Sequence, residues 1–244
     1  MGEHTESWFE EKLVVDDATL ANIEKSLAST PIAKTITDTQ RLVRGIVRVD
    51  RPRWRKLSPD GHQFLTAGTA ADYYLVRLGF QFDFPPEAEV YNPRFVFARC
   101  EAAIWPEHDT QPAPVIYDLY PQNLTDGNKP MQVSLKFAPK ITVAPTIEVA
   151  GPEAGVAWEQ GIVEPSCTGF PGEHEQRPYW TLRPKSKSLI GLRHFWMVIE
   201  APQTCTGIRL KVQARADIES KLFGLISMKP SEPEWASRRS IVIS

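Results

Sequence analysis

The chain has 244 residues and a formal net charge of −2, which excludes both a globally basic nucleic-acid binder and a strongly acidic mimic. Apolar residues make up 42% and aromatics 10%, enough to bury a sizeable core and to argue against intrinsic disorder. Pro is in excess at 21 residues, about twice its usual share, while Gly stays at 14, so neither a collagen repeat nor a low-complexity chain fits.

A chain of this length makes one large β domain or two small ones. It has no run of about 18 apolar residues, so no transmembrane helix is expected. The acidic start (Glu3, Glu6, Glu10, Glu11) lacks the basic and apolar regions of a secretory signal. Gly2 lacks the Ser or Thr at position 6 that a myristoylation motif needs. The expected compartment is cytoplasmic, with no membrane partner.

In chain order, Asp16-Asp17 followed by Leu20, Ile23 and Leu27 at helical spacing predicts a short amphipathic helix, stopped before Pro31. The pattern then changes to period two. Val43, Val47 and Val49 form one apolar face of a strand, with Arg44 and Arg48 on the other. From Tyr73 to Phe84 the alternation is the clearest in the chain, and Pro85-Pro86 ends it. Strands are predicted over 93–105, ended by Pro106, and over 115–120, ended by Pro121. A turn follows over 123–130, and Met131 to Phe137 alternates with Gln132, Ser134 and Lys136 outward. Further pieces at 140–144 and 146–149 are split by Pro145. Residues 150–179 are turn-rich, and a loop of that length is often functional. Short strands over 179–182, 192–201 (ended by Pro202), 206–219 and 222–226 complete the body, and Ile241 to Ile243 suits a last edge strand.

Roughly nine to eleven strands with one helix and no alternating βαβ pattern predict an all-β fold, an antiparallel β-sandwich. The expected organisation is an acidic N-terminal arm with the short helix (1–38), one β-sandwich domain (39–228) and an extended C-terminal tail (229–244). A boundary within 150–178 is the alternative.

Known catalytic signatures are absent: no nucleophile elbow, Walker loop, dinucleotide fingerprint, zinc-protease motif or calcium loop. The three Cys (Cys100, Cys167, Cys205) show no zinc spacing. Cys100 reads as a core residue, and a Cys167–Cys205 bridge is disfavoured in a reducing compartment. Glu107-His108-Asp109 and Glu173-His174-Glu175 put carboxylates beside imidazoles, but adjacent residues rarely chelate one ion, so exposed polar loops are the simpler reading. His194, in an apolar strand, reads as a hydrogen-bonded core or interface histidine. No cofactor or metal is implied.

The sharpest local feature is the basic run Arg51, Pro52, Arg53, Trp54, Arg55, Lys56. Arg beside an aromatic holds phosphates or stacks on planar groups. An internal explanation competes: the acidic first 29 residues could cover the basic strand. Among the seven Trp, Trp54, Trp158 and Trp235 stand apart as interface candidates. These observations predict a non-enzymatic cytosolic interaction module that docks a protein partner or self-associates through Arg51, Arg53, Trp54, Arg55, Lys56, Trp158 and Trp235. Nucleic acid is a lesser expectation. The alternatives are a small-molecule or carbohydrate-binding sandwich using loop aromatics near Trp158, Tyr179 and Trp180, and a His-carboxylate hydrolase at His108 or His174.

Overall fold

The computed structural model describes residues 7–15, 17–28, 45–57, 70–86, 93–121, 123–124, 166–172, 175–183, 189–220, 224–230 and 240–244. Thirteen strands and one helix lie in them: β1 (Ser7–Val15), α1 (Asp17–Ala28), β2 (Gly45–Asp50), β3 (Arg53–Leu57), β4 (Ala71–Asp83), β5 (Arg94–Pro106), β6 (Val115–Tyr120), β7 (Asn123–Leu124), β8 (Ser166–Phe170), β9 (Tyr179–Arg183), β10 (Gly191–Pro202), β11 (Ile208–Ser220), β12 (Gly224–Pro230) and β13 (Ile241–Ile243). The fold is the expected all-β antiparallel sandwich with one short helix.

Alternation makes these strands, because successive side chains on a pleated strand point to opposite faces. In β11, Ile208, Leu210, Val212, Ala214, Ala216 and Ile218 are buried, while Arg209, Lys211, Gln213, Arg215 and Asp217 are half-buried or exposed. β4 behaves alike: Val76, Leu78, Phe80 and Phe82 are fully buried on one parity. Each aromatic so buried contributes about 1.5–3 kcal/mol.

Hydrogen-bonded neighbours run β6-β10-β4-β2-β1-β12-β11-β5-β9-β8-β7, with β3 added on β4 and β13 on β11. That path folds back on itself. Phe82 of β4 meets Phe95 of β5 with ring centroids 5.6 Å apart, and Trp180 of β9 stacks on Phe195 of β10 at 4.9 Å. Neither pair lies on adjacent strands of the path, so these are contacts between two packed layers.

β1 is the seam between the layers, pairing β2 on one side and β12 on the other. The acidic N-terminal segment does meet the basic strand here. Arg48 of β2 lies 3.5 Å from Glu10 of β1 and also pairs with Asp83 of β4. In α1, Ile23 is buried and Leu20 half-buried, as the helical spacing predicts.

Prolines punctuate the fold: Pro106 and Pro202 close β5 and β10, and Pro121 follows β6. Gly172, before β9, has φ of 77°, and a Cβ there would sit 1.8 Å from the Arg177 carbonyl oxygen, so only glycine fits. All three cysteines are free and buried. Burial pushes the Cys100 thiol well up and the Cys167 thiol up to about 12.

Candidate functional site

The basic run forms the turn out of β2 and the edge strand β3. Arg51, Arg53, Trp54, Arg55 and Lys56 are all exposed, and Leu57 is buried. Lys56 donates to Asp72 at 2.6 Å. Trp158 and Trp235 lie outside the described residues, as do His174 and the 123–149 turn and strand pieces beyond Leu124.

β3 aligns Arg53 directly opposite Arg77 of β4. The same row continues across the sheet, with Trp196 of β10 opposite Arg77 and Tyr120 of β6 opposite Trp196. Directly opposed residues of antiparallel strands share a face. Phe195 and Met197 on β10 point into the core, so Arg53, Arg77, Trp196 and Tyr120 lie on the other face. One step along, His194 stands opposite Gly79 on that same face. The rings of Trp196 and Tyr120 are 5.6 Å apart, and those of His194 and Trp196 6.0 Å.

Asp50, at the end of β2, completes the cluster. Gly79 makes room for it, since a Cβ there would come within 2.5 Å of Asp50 Oδ2. Asp50 is 7% exposed and its Oδ2 has no hydrogen-bond partner. The same holds for Trp196 Nε1 and His194 Nε2. Unpartnered buried polar atoms cost free energy.

The electrostatics follow the geometry. Burial raises the Asp50 carboxyl above the ordinary carboxylate value, while Arg77 and then Arg53 pull it down. Burial, then Arg77, then Arg53 lower the His194 imidazole to about 4, so it is neutral at pH 7. Burial is the larger influence on both groups, and the same two guanidiniums act on both. The row is rich in donors: guanidinium and indole nitrogens donate and cannot accept.

Sequence reasoning singled out Arg53 and Trp54 but missed Arg77, Trp196 and Asp50. The signal lay in parity: Arg77 interrupts the polar side of the best-alternating strand, and His194 and Trp196 share one parity on β10. Only strand pairing shows that these positions form one row.

A second geometric feature lies at the far edge of the sheet. β7 and β8 pair antiparallel, Asn123 opposite Thr168 and Leu124 opposite Cys167. The two strands that flank residues 125–165 in sequence thus lie side by side.

The loop-aromatic alternative is corrected. Trp180 is fully buried against Phe195, and Tyr179 stacks on Phe170 at 4.9 Å, so these aromatics pack the protein rather than line a loop site. Among the described residues no group of three or more His, Cys, Asp or Glu is placed to hold a metal, and His108 stands exposed. No described helix is long and apolar enough to cross a membrane.

No family model matches the sequence, and no curated protein matches it. Solved structures similar to the chain include the Clostridium perfringens NetB toxin in its membrane-inserted form. The TM-score is 0.36 at 8% identity, over 96% of this chain and 94% of that one. A pore-forming protein gives 0.35 at 9% identity, over 85% and 92%. Clostridium perfringens delta-toxin gives 0.34 at 7%, over 85% and 90%. Scores of this size assign no role to any residue of this chain. By their titles these structures are two toxins, one of them in a membrane-inserted form, and a pore-forming protein, and not the cytosolic interaction module expected from the sequence.

Proposed function

We propose that this protein acts on membranes, passing residues 125–165 across a bilayer as a β-hairpin that several copies of the chain assemble into a closed barrel. The observation that carries this reading is the strict alternation within that segment. Every odd position from Met131 to Val149 is apolar, and every even position from Gln132 to Glu148 is polar or Ala. A membrane strand needs about ten residues with one lipid-facing and one water-facing parity to cover an apolar band of ~25 Å. This run is roughly twice as long as one crossing. On the return, Val156, Trp158 and Ile162 again share one parity. Pro139 and Pro145 each remove a ladder donor but fall on the apolar side.

The β7–β8 pair supports the reading, because it already holds the two ends of the segment side by side as a hairpin requires. Self-association follows from the physics of lipid. A lone hairpin would leave its edge N–H and C=O groups unsatisfied in hydrocarbon, and closure with other copies removes those edges. A membrane partner thus replaces the earlier expectation of none.

The test is dye release from phosphatidylcholine–phosphatidylserine vesicles. Leu135→Asp and Val143→Asp put charge on the lipid-facing parity and are expected to lower release at least about tenfold. Ser134→Asp and Thr142→Asp sit on the water-facing parity and should stay within about threefold of the unmodified protein. Equal loss from both pairs, or no release by the unmodified protein, refutes the proposal.

A further inference from the structure

The Arg53–Arg77–Trp196 row lies on β3, β4 and β10, none of which pairs with β7 or β8, so it is not needed by a membrane-crossing hairpin. Its chemistry points elsewhere. We propose that this row, with His194 beside it, is a binding site for a phosphate-type oxyanion.

Three observations carry the proposal. First, the ladder places two guanidiniums directly opposite one another, Arg53 on β3 and Arg77 on β4. Planar guanidinium forks suit the oxygens of one oxyanion. Second, Trp196 stands opposite Arg77 in the next ladder, 8% exposed, with an indole Nε1 that has no acceptor. An indole only donates, so whatever satisfies it must bring an acceptor. Third, His194 lies next to Trp196, with its Nε2 likewise unpartnered. Its ring stays neutral near pH 7, keeping one N–H to donate and one nitrogen to accept.

Asp50 shapes the site rather than blocking it. Its carboxylate packs on Gly79, the residue opposite His194, and feels Arg77 more strongly than Arg53. It therefore holds the Arg77 side of the row and leaves the exposed edge, with Arg53, as the entry. Arg55, exposed on the same parity as Arg53, extends positive charge along that edge and steers an anion toward it.

The experiment is calorimetric titration of the full chain with inorganic phosphate at pH 7 and fixed ionic strength, alongside thermal unfolding in phosphate and in chloride. Saturable binding and a phosphate-dependent rise in melting temperature are expected. Trp196→Phe keeps the ring but removes the N–H, and should weaken binding about tenfold, the worth of one hydrogen bond to a charged group. Arg53→Gln, on an exposed edge residue that the core does not need, should weaken it at least as much. This second variant keeps the test decisive if Trp196→Phe fails to fold. Arg55→Gln, on the same strand, should stay within about twofold.

No saturable binding up to about 10 mM phosphate overturns the proposal. So does equal weakening by Arg53→Gln and Arg55→Gln, which is the mark of general screening by a basic strand. A vesicle arm separates the two sources of such a group. If flotation with phosphatidic acid vesicles is lost in Arg53→Gln and competed by inorganic phosphate, the ligand is a lipid headgroup. If flotation ignores both while the titration shows binding, the ligand is a free phosphate. Because the titration needs no bilayer, its failure is distinct from failure of the dye-release test.

Discussion

Replacing His194 by Gln should flatten the acid side of the stability profile. In the folded protein the imidazole protonates near pH 4, lowered by burial and by Arg77 and Arg53; in the unfolded chain it protonates near pH 6.5. Between those values the unfolded state binds more protons, so stability falls as pH falls from about 6.5 toward 4. The linkage relation for that pair of values gives a loss of roughly 2.4 kcal/mol on going from about pH 7 to about pH 4.5. His194 is only half-buried, and solvent screening reduces the expected loss to about 1–2 kcal/mol. Asp50 works in the opposite sense. Its folded value is raised by burial, so its protonation on acidification opposes the loss. Urea unfolding at the two pH values, in the unmodified protein and in His194→Gln, measures the difference directly. The slope contributed by His194 should disappear in the variant. Identical pH dependence in both proteins would refute the placement of His194 beside the two guanidiniums.

Two further outcomes follow from packing. Gly79→Ala places a Cβ 2.5 Å from Asp50 Oδ2, so the carboxylate must leave its seat; a loss on the order of 1–3 kcal/mol is expected in urea unfolding. An unchanged midpoint would show that the carboxylate does not lie there. The three cysteines are buried, and burial raises the thiol values of Cys100, Cys167 and Cys205. A thiol reagent at about pH 8 should label the native protein slowly and all three sites at once in urea; fast labelling of native Cys100 would contradict the core packing.

Much of the fold was legible because the longest strands are amphipathic. In β11 each apolar residue is buried and each polar one turned outward, which period two alone foretells. β6 matches its expected range of 115–120, bounded by Pro121. The strands that sequence reasoning missed lack this signal. β1 carries Glu10 and Glu11 in mid-strand, and Glu10 is held outward by Arg48 of the neighbouring strand, a partner no local pattern reveals. β3 is four exposed residues and one buried, so its charge dominates any alternation. The candidate site was less legible than the fold, and for one physical reason. Arg53, Arg77 and Trp196 belong to three strands far apart in sequence, and register alone brings them together. Asp50 escaped notice because its meaning depends on the missing Cβ of Gly79.

The seam strand has a consequence for biosynthesis. β1 leaves the ribosome long before β12, yet it pairs through Leu13, Val14 and Val15 with Pro230, Lys229 and Met228 of that strand. At about 5–20 residues per second, roughly 10–40 s separate the emergence of the two partners. During that interval β1 holds an unpaired edge and Leu13 lacks its full burial. Until β12 emerges, pairing with β2 is the cover available to β1.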